Sequence, residues 1–327
     1  MSNKHTLPNF VHFGTPKSGS GTLSYLLTRH PQVYTPRPKE LNYFNSSNQY
    51  EKGLDWYEES YFADYAGEPV ICDKSIGYSA GNPEQTIERM VKDLGRDFRI
   101  LLTVRHPVDR AYSQYCMARY KGQIEPLGFT EAVRSALEVD RQFSADDLHK
   151  AIDEQGYYSD VRDMAIFRNA MYVVPGEYAR LLDLCQSAVG VDNVKILFTE
   201  DMSSDLPGTL LDLTNFLGID PIAVDPGFRR NEATMLRYPW LRRAYNRIYA
   251  FAPVRNAYKT LGVSARKSLR KKLMSWNYRP NDGVPAAEPE GQRLLGRHYA
   301  ADLAAFQQAT GRDLSRWMDR HTDAQTR

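Results

Sequence analysis

Phe10-Val11-His12-Phe13-Gly14-Thr15-Pro16-Lys17-Ser18-Gly19-Ser20-Gly21-Thr22-Leu23 is the stretch on which the reading of the fold turns. An apolar run, Phe10–Gly14, precedes a Gly/Ser/Lys segment, and Leu23, Leu26 and Leu27 then recur at helical spacing. The pattern predicts a strand, an anion-binding loop and a helix. Such a loop aims consecutive backbone N–H groups and the positive end of a helix dipole at an anion. Gly19 and Gly21 let the backbone approach that anion closely. Lys17 adds a mobile point charge, and the hydroxyls of Ser18, Ser20 and Thr22 add donors. Lys17 precedes both glycines, whereas the common triphosphate loop G-x-x-x-x-G-K-[ST] carries its lysine after the last one. A lysine on the entry side reaches a different part of a ligand. Without a ligand the same residues make a Gly-rich strand–helix turn.

Three more short runs, Val70–Cys72, Arg99–Val104 and Val194–Phe198, are mostly continuous rather than alternating, the pattern of parallel strands buried on both faces. Helical patterns over Thr22–Arg29, Pro83–Leu94, Pro107–Tyr120, Phe129–Leu137, Gly176–Ala188 and Leu206–Leu217 alternate with them, and another covers Gln292–Thr310. The expectation is an α/β fold, a central parallel β-sheet flanked by helices. Ligands of such sheets bind at the carboxyl ends of the strands.

The 327 residues are 42% hydrophobic and 25% charged, with a formal net charge of +2, as in an ordinary globular protein. No apolar run approaches the roughly 18–20 residues that span a bilayer. Met1–Pro8 lacks the apolar core of a secretory signal. Cys72, Cys116 and Cys185 are far apart in apolar contexts and fit buried thiols, not a disulfide framework or a metal cluster. A cytoplasmic location is expected. The small net charge conceals an uneven distribution: Arg237 to Trp276 holds eleven basic residues and no acid, with Trp240, Tyr245 and Ile248 interleaved. This region reads as a solvated helical face, as a surface or lid recruiting an acidic acceptor, or as a peripheral membrane contact through Arg237–Lys272. Nucleic acid is disfavoured, because no recognised binding motif accompanies the charge.

Chemistry-bearing residues follow the strands. Arg105 ends the Arg99–Val104 run, Pro107 suits the first turn of a helix, and Ser113 lies eight residues after Arg105 on that helix. An Arg there offers a bidentate clamp for a phosphate, or pairs with Asp109 at the surface. Pro38-Lys39-Glu40-Leu41-Asn42-Tyr43-Phe44 carries a carboxylate beside a lysine and aromatics, a general-base candidate or a solvated ion pair. Lys74, in Cys72-Asp73-Lys74-Ser75, meets Lys17 and Glu40 at the sheet's carboxyl edge or is a solvated lysine.

Together these segments resemble the sulfotransferases that use 3′-phosphoadenosine 5′-phosphosulfate (PAPS), in the branch with bacterial and glycosaminoglycan members. Thr15–Leu23 is similar to that family's P-loop-like 5′-phosphosulfate loop, and Arg105-His106-Pro107-Val108-Asp109-Arg110-Ala111-Tyr112-Ser113 to its 3′-phosphate motif. His30-Pro31 with Lys39–Phe44 resembles the stretch whose Glu is the base in glycosaminoglycan members, although Asn42 stands where many relatives have His. Asp73–Tyr78, Val194–Met202 and Gly311–Trp317 resemble further blocks.

The resemblance implies a single sulfotransferase domain over 1–327, with a basic helical insertion or lid at about 232–290 and a C-terminal helix at 291–317. It implies Lys17, Ser18, Gly19, Ser20, Gly21, Thr22, Arg105 and Ser113 as donor-binding residues, and Glu40, Lys17 and Lys74 as catalytic ones. PAPS is the implied co-substrate, without a metal, and the acceptor is a saccharide, a lipid or another small molecule. Loops Asn45–Phe62, Gly122–Gly156 and Asn231–Pro289 are expected around the acceptor. Tyr50, Trp56, Tyr57, Tyr157 and Tyr158 suit stacking on it or ordinary packing. The alternatives are a nucleotide-dependent phosphotransferase and a non-enzymatic basic surface-binding protein.

Overall fold

The computed structural model describes residues 5–37, 40–122, 124–139, 163–224, 234–236, 238, 278–280 and 284–319. Its centre is a five-stranded sheet of order β2-β3-β1-β4-β5, formed by β1 (Phe10–Gly14), β2 (Val33–Tyr34), β3 (Val70–Lys74), β4 (Arg99–Val104) and β5 (Val194–Phe198). Every neighbouring pair is parallel. β1 sits in the middle because the chain leaves it toward β2, returns to β3 on one side and crosses to β4 on the other. The loop after β1 therefore opens at a topological switch point, where α/β sheets bind ligands.

The continuous apolar runs are explained by helices on both faces. Alternate residues of β1, β3 and β4 feed two separate cores. Val11, Phe13, Ile71, Ile100, Leu102 and Val104 face one. Phe10, Val70, Cys72 and Leu101 face the other, where they meet Leu23, Leu26 and Leu27 of α1 (Ser20–Leu27). The first core is covered by α4 (Pro83–Leu94), α5 (Pro107–Cys116) and α6 (Phe129–Leu137), among other elements. The α/β expectation holds.

Boundaries shift where polar residues conceal regular structure. β2 is a two-residue edge strand, too short to show a period. β3 runs on through Asp73 and Lys74. Helix α1 starts at Ser20, two residues before the expected Thr22. The expected Pro107–Tyr120 helix is α5 as far as Cys116, then a wider π-turn over Met117–Gly122. Asn45–Phe62, expected as a loop, contains α2 (Ser47–Tyr50) and α3 (Gly53–Tyr61). Tyr57 is fully buried there and stacks on Tyr43 at 4.1 Å, so it packs the core and does not face an acceptor.

Further along lie α7 (Met164–Arg168), α8 (Tyr178–Val189), α9 (Thr199–Ser204) and α10 (Leu206–Leu217). The chain then gives an antiparallel pair, β6 (Thr234–Leu236) with β7 (Tyr278–Pro280), followed by α11 (Pro289–Thr310) and α12 (Ser315–Asp319). Most of the expected basic insertion, and Tyr157 and Tyr158, lie outside the described residues. Among the described residues no helix is long and apolar enough to cross a membrane.

Candidate active site

The loop after β1 is fixed from below. Thr15 gives both its N–H and its hydroxyl to Thr103 O of β4, each at 2.9 Å, and its Oγ1 lies 2.9 Å from Ser18 Oγ. Thr103 returns its own hydroxyl to Gly14 O at 3.1 Å. A Cβ on Gly14 would lie 2.1 Å from Ser79 Oγ, so only glycine fits there. Beneath the loop, burial and then Lys74 lower the His12 pKa to about 3, which keeps that ring neutral.

Above this floor the backbone turns sharply. Lys17 and Gly19 both have positive φ, 73° and 81°, and Gly19 is the N-cap of α1. No side chain caps α1, and its first turn holds no acid. The first N–H groups of the helix are therefore left for an anion. Ser18 is buried, Ser20 begins the helix, Gly21 is exposed, and Thr22 is half-buried with its N–H on Gly19 O at 3.0 Å.

Lys17 points across the loop to the π-turn after α5, where its Nζ lies 3.6 Å from Met117 Sδ, a weak acceptor. Burial, followed by the charges of Lys121 and Arg105, pushes its pKa down to about 8. No ion pair to Lys17 or Arg105 occurs among the described residues, and the Arg105–Asp109 surface pair does not form. The site thus concentrates positive charge that a multiply charged anion would neutralise.

Arg105 leaves the carboxyl end of β4. Its backbone is clasped by Tyr178 of α8, whose hydroxyl donates to Arg105 O at 2.5 Å and accepts the Arg105 N–H at 3.3 Å. His106 caps α5. Its Nδ1 accepts the Asp109 N–H at 3.4 Å, so Nε2 carries the proton shared with Trp317 O at 3.1 Å. Ser113 is half-buried on α5, one turn before the Met117 that Lys17 touches. The strand end, helix and loop thus bring Arg105, Ser113 and Lys17 to one region.

On the other side of β1, Lys74 is the register partner of His12 and donates to Ser24 Oγ of α1. Glu40 is half-buried and begins a turn anchored to the end of β3, because the N–H groups of Leu41 and Asn42 both bond Ser75 Oγ, at 2.9 and 3.1 Å. Ser75 gives its proton to the buried Asp73 at 2.7 Å. Sequence reasoning did not foresee Tyr178 or the place of Asp73 and Ser75 in this anchor. The roles of all three residues depend on partners distant in the chain.

Comparison with known proteins places this geometry in context. The sulfotransferase domain family matches residues 8–226. The membrane-associated sulfotransferase kil1 of Dictyostelium discoideum is 36% identical over 111 residues, 33% of this chain and 22% of that protein. The bifunctional heparan sulfate N-deacetylase/N-sulfotransferase 2 of Homo sapiens is 31% identical over 130 residues, 38% of this chain and 14% of that protein. The matches therefore span less than a quarter of either relative's length. A crystal structure of a sulfotransferase from Alicyclobacillus acidocaldarius shares the fold, with a TM-score of 0.61 over 95% of this chain and 99% of that one at 21% identity.

Proposed function

Because this chain belongs to the sulfotransferase domain family, we propose that it moves a sulfuryl group from PAPS to an acceptor hydroxyl by in-line displacement. The observation that carries this reading is a pair of cations, Lys17 and Arg105, beside an acid-free helix N-terminus, with no carboxylate paired to either among the described residues. A donor with anionic groups at two ends suits that spacing of charge better than a linear triphosphate with magnesium.

Each residue then has a task. Arg105 and Ser113 hold the 3′-phosphate, a bidentate and a hydroxyl contact. Lys17 and the leading N–H groups of α1 stabilise the negative charge that gathers on the bridging oxygen as its bond to sulfur breaks. Glu40 takes the acceptor's proton while the acceptor oxygen bonds to sulfur. Lys74 steadies the sulfuryl oxygens or orients Glu40. The heparan sulfate named for a relative supports a saccharide acceptor, and the basic stretch Arg237–Lys272 supports an anionic one.

Glu40→Gln tests the base. It should lower kcat with PAPS by about 10²–10³ while leaving donor affinity unchanged. A kcat near that of wild type would remove Glu40 from this role.

A further inference from the structure

We infer that Asp73 and Ser75 are positioning residues for Glu40, acting through an oriented chain of hydrogen bonds from the floor of the sheet to the turn that begins at Glu40. The inference rests on the reading of Glu40 as the base.

A serine hydroxyl has one proton and two lone pairs. Both lone pairs of Ser75 Oγ are taken, by the N–H groups of Leu41 at 2.9 Å and Asn42 at 3.1 Å. The proton therefore has one destination, Asp73 Oδ1 at 2.7 Å. The other carboxylate oxygen accepts the hydroxyls of Tyr57 and Tyr78, each at 2.7 Å. Three donors thus converge on a side chain with no solvent exposure, so the chain of bonds has one polarity. An ionised carboxylate is the acceptor-only group that this polarity needs; burial raises the Asp73 pKa, and the hydrogen bonds from Ser75, Tyr57 and Tyr78, with the charge of Lys74, oppose that rise.

The strand sets this up. Asp73 lies on the Ile71 face of β3, the face that meets Tyr57 and Tyr78 in the larger core. The two tyrosines fix the carboxylate, the carboxylate fixes the Ser75 hydroxyl, and the hydroxyl fixes two consecutive peptide N–H groups. Asn42 is held at φ 54°, a left-handed conformation unusual for a residue with a side chain. The anchored pair follows Glu40 directly, so a loosened anchor frees the carboxylate to drift. Misplacement by about 1 Å can cost about 10²-fold in rate.

Ser75→Ala removes the acceptor of both N–H groups, and Asp73→Asn weakens the acceptor of the hydroxyl. Each is measured alone and combined with Glu40→Gln, using PAPS and the acceptor that a saccharide, lipid and phenol panel identifies, or PAPS hydrolysis if none does. Ser75→Ala should lower kcat by about 10- to 100-fold. Binding of adenosine 3′,5′-bisphosphate should stay within about twofold of wild type, which also verifies folding. In the Glu40→Gln background the same change should cost less than about twofold more, because nothing is left to position. Asp73→Asn should show the same coupling with a smaller loss, and it carries the test if Ser75→Ala does not fold. An unchanged kcat in Ser75→Ala, or an equal loss in both backgrounds, overturns the inference. Glu40→Gln alone reports separately on the base, since a wild-type kcat there removes that reading whatever Ser75 does.

Discussion

Lys17 should make the free protein less stable than it would be without this charge. Burial and then the neighbouring cations Lys121, Arg105 and Arg110 lower its pKa from 10.5 to about 8. At about 1.4 kcal/mol per unit, that corresponds to an upper bound of roughly 3 kcal/mol, reduced by whatever solvent reaches the half-buried amine. The folded chain holds this proton less tightly than the unfolded chain. The penalty is therefore full below about pH 8 and fades toward pH 10.5. Lys17→Met keeps the length of the side chain and removes the charge. Its unfolding free energy in urea at about pH 7 should exceed that of wild type by about 1–3 kcal/mol, and the gain should shrink by about pH 10. The same lysine should make ligand affinity pH-dependent. Above about pH 7.5 the phosphates of adenosine 3′,5′-bisphosphate are already dianionic. Calorimetry should then show proton uptake on binding, and affinity falling toward tenfold per unit beyond about pH 8. Lys17→Arg should flatten that fall, because a guanidinium stays charged. A Lys17→Met protein no more stable than wild type, or a wild-type affinity constant from about pH 7.5 to 9.5, would refute this account of the site.

Two other substitutions report on the remaining parts. Arg105→Ala should weaken binding of adenosine 3′,5′-bisphosphate by about 10- to 100-fold, the worth of a charged hydrogen-bonded contact, with kcat at saturating PAPS little changed; a change confined to the acceptor KM would contradict the assignment. Tyr178→Phe leaves the Arg105 N–H and C=O without the hydroxyl that satisfies both. It should lower the unfolding free energy by about 1–3 kcal/mol and weaken donor binding, and calorimetry with the same bisphosphate checks the second effect.

The parts that the sequence made legible share a physical reason. β1 and β4 are buried on both faces, so composition alone marks them, and β5, half-buried at the sheet edge, is still apolar enough to stand out. The places of Lys17, Gly19 and Arg105 just beyond the ends of β1 and β4 were readable because both strands stand out as apolar runs. β2 was not readable, because two residues at a sheet edge carry no period. In α3 the acids Asp55, Glu58 and Glu59 surround the core residue Tyr57, which made the segment look like a solvent loop. The widening of α5 into a π-turn depends on backbone bonding and has no residue signature. Tyr178 and Asp73 act through partners that only the folded chain brings close: Tyr178 bonds Arg105, 73 residues earlier, and Asp73 bonds Tyr57, 16 residues earlier. Spacing cannot announce such pairs.

The central claim is that the loop after β1 and the Arg105 segment hold the two ends of one sulfuryl donor. The most direct measurement is calorimetric titration with adenosine 3′,5′-bisphosphate and, separately, with ATP and magnesium. Wild-type protein should bind the bisphosphate at a single site with or without magnesium, Lys17→Met and Arg105→Ala should each weaken it, and ATP with magnesium should bind far more weakly. Tighter binding of ATP with magnesium, or bisphosphate binding that neither substitution alters, would contradict the claim.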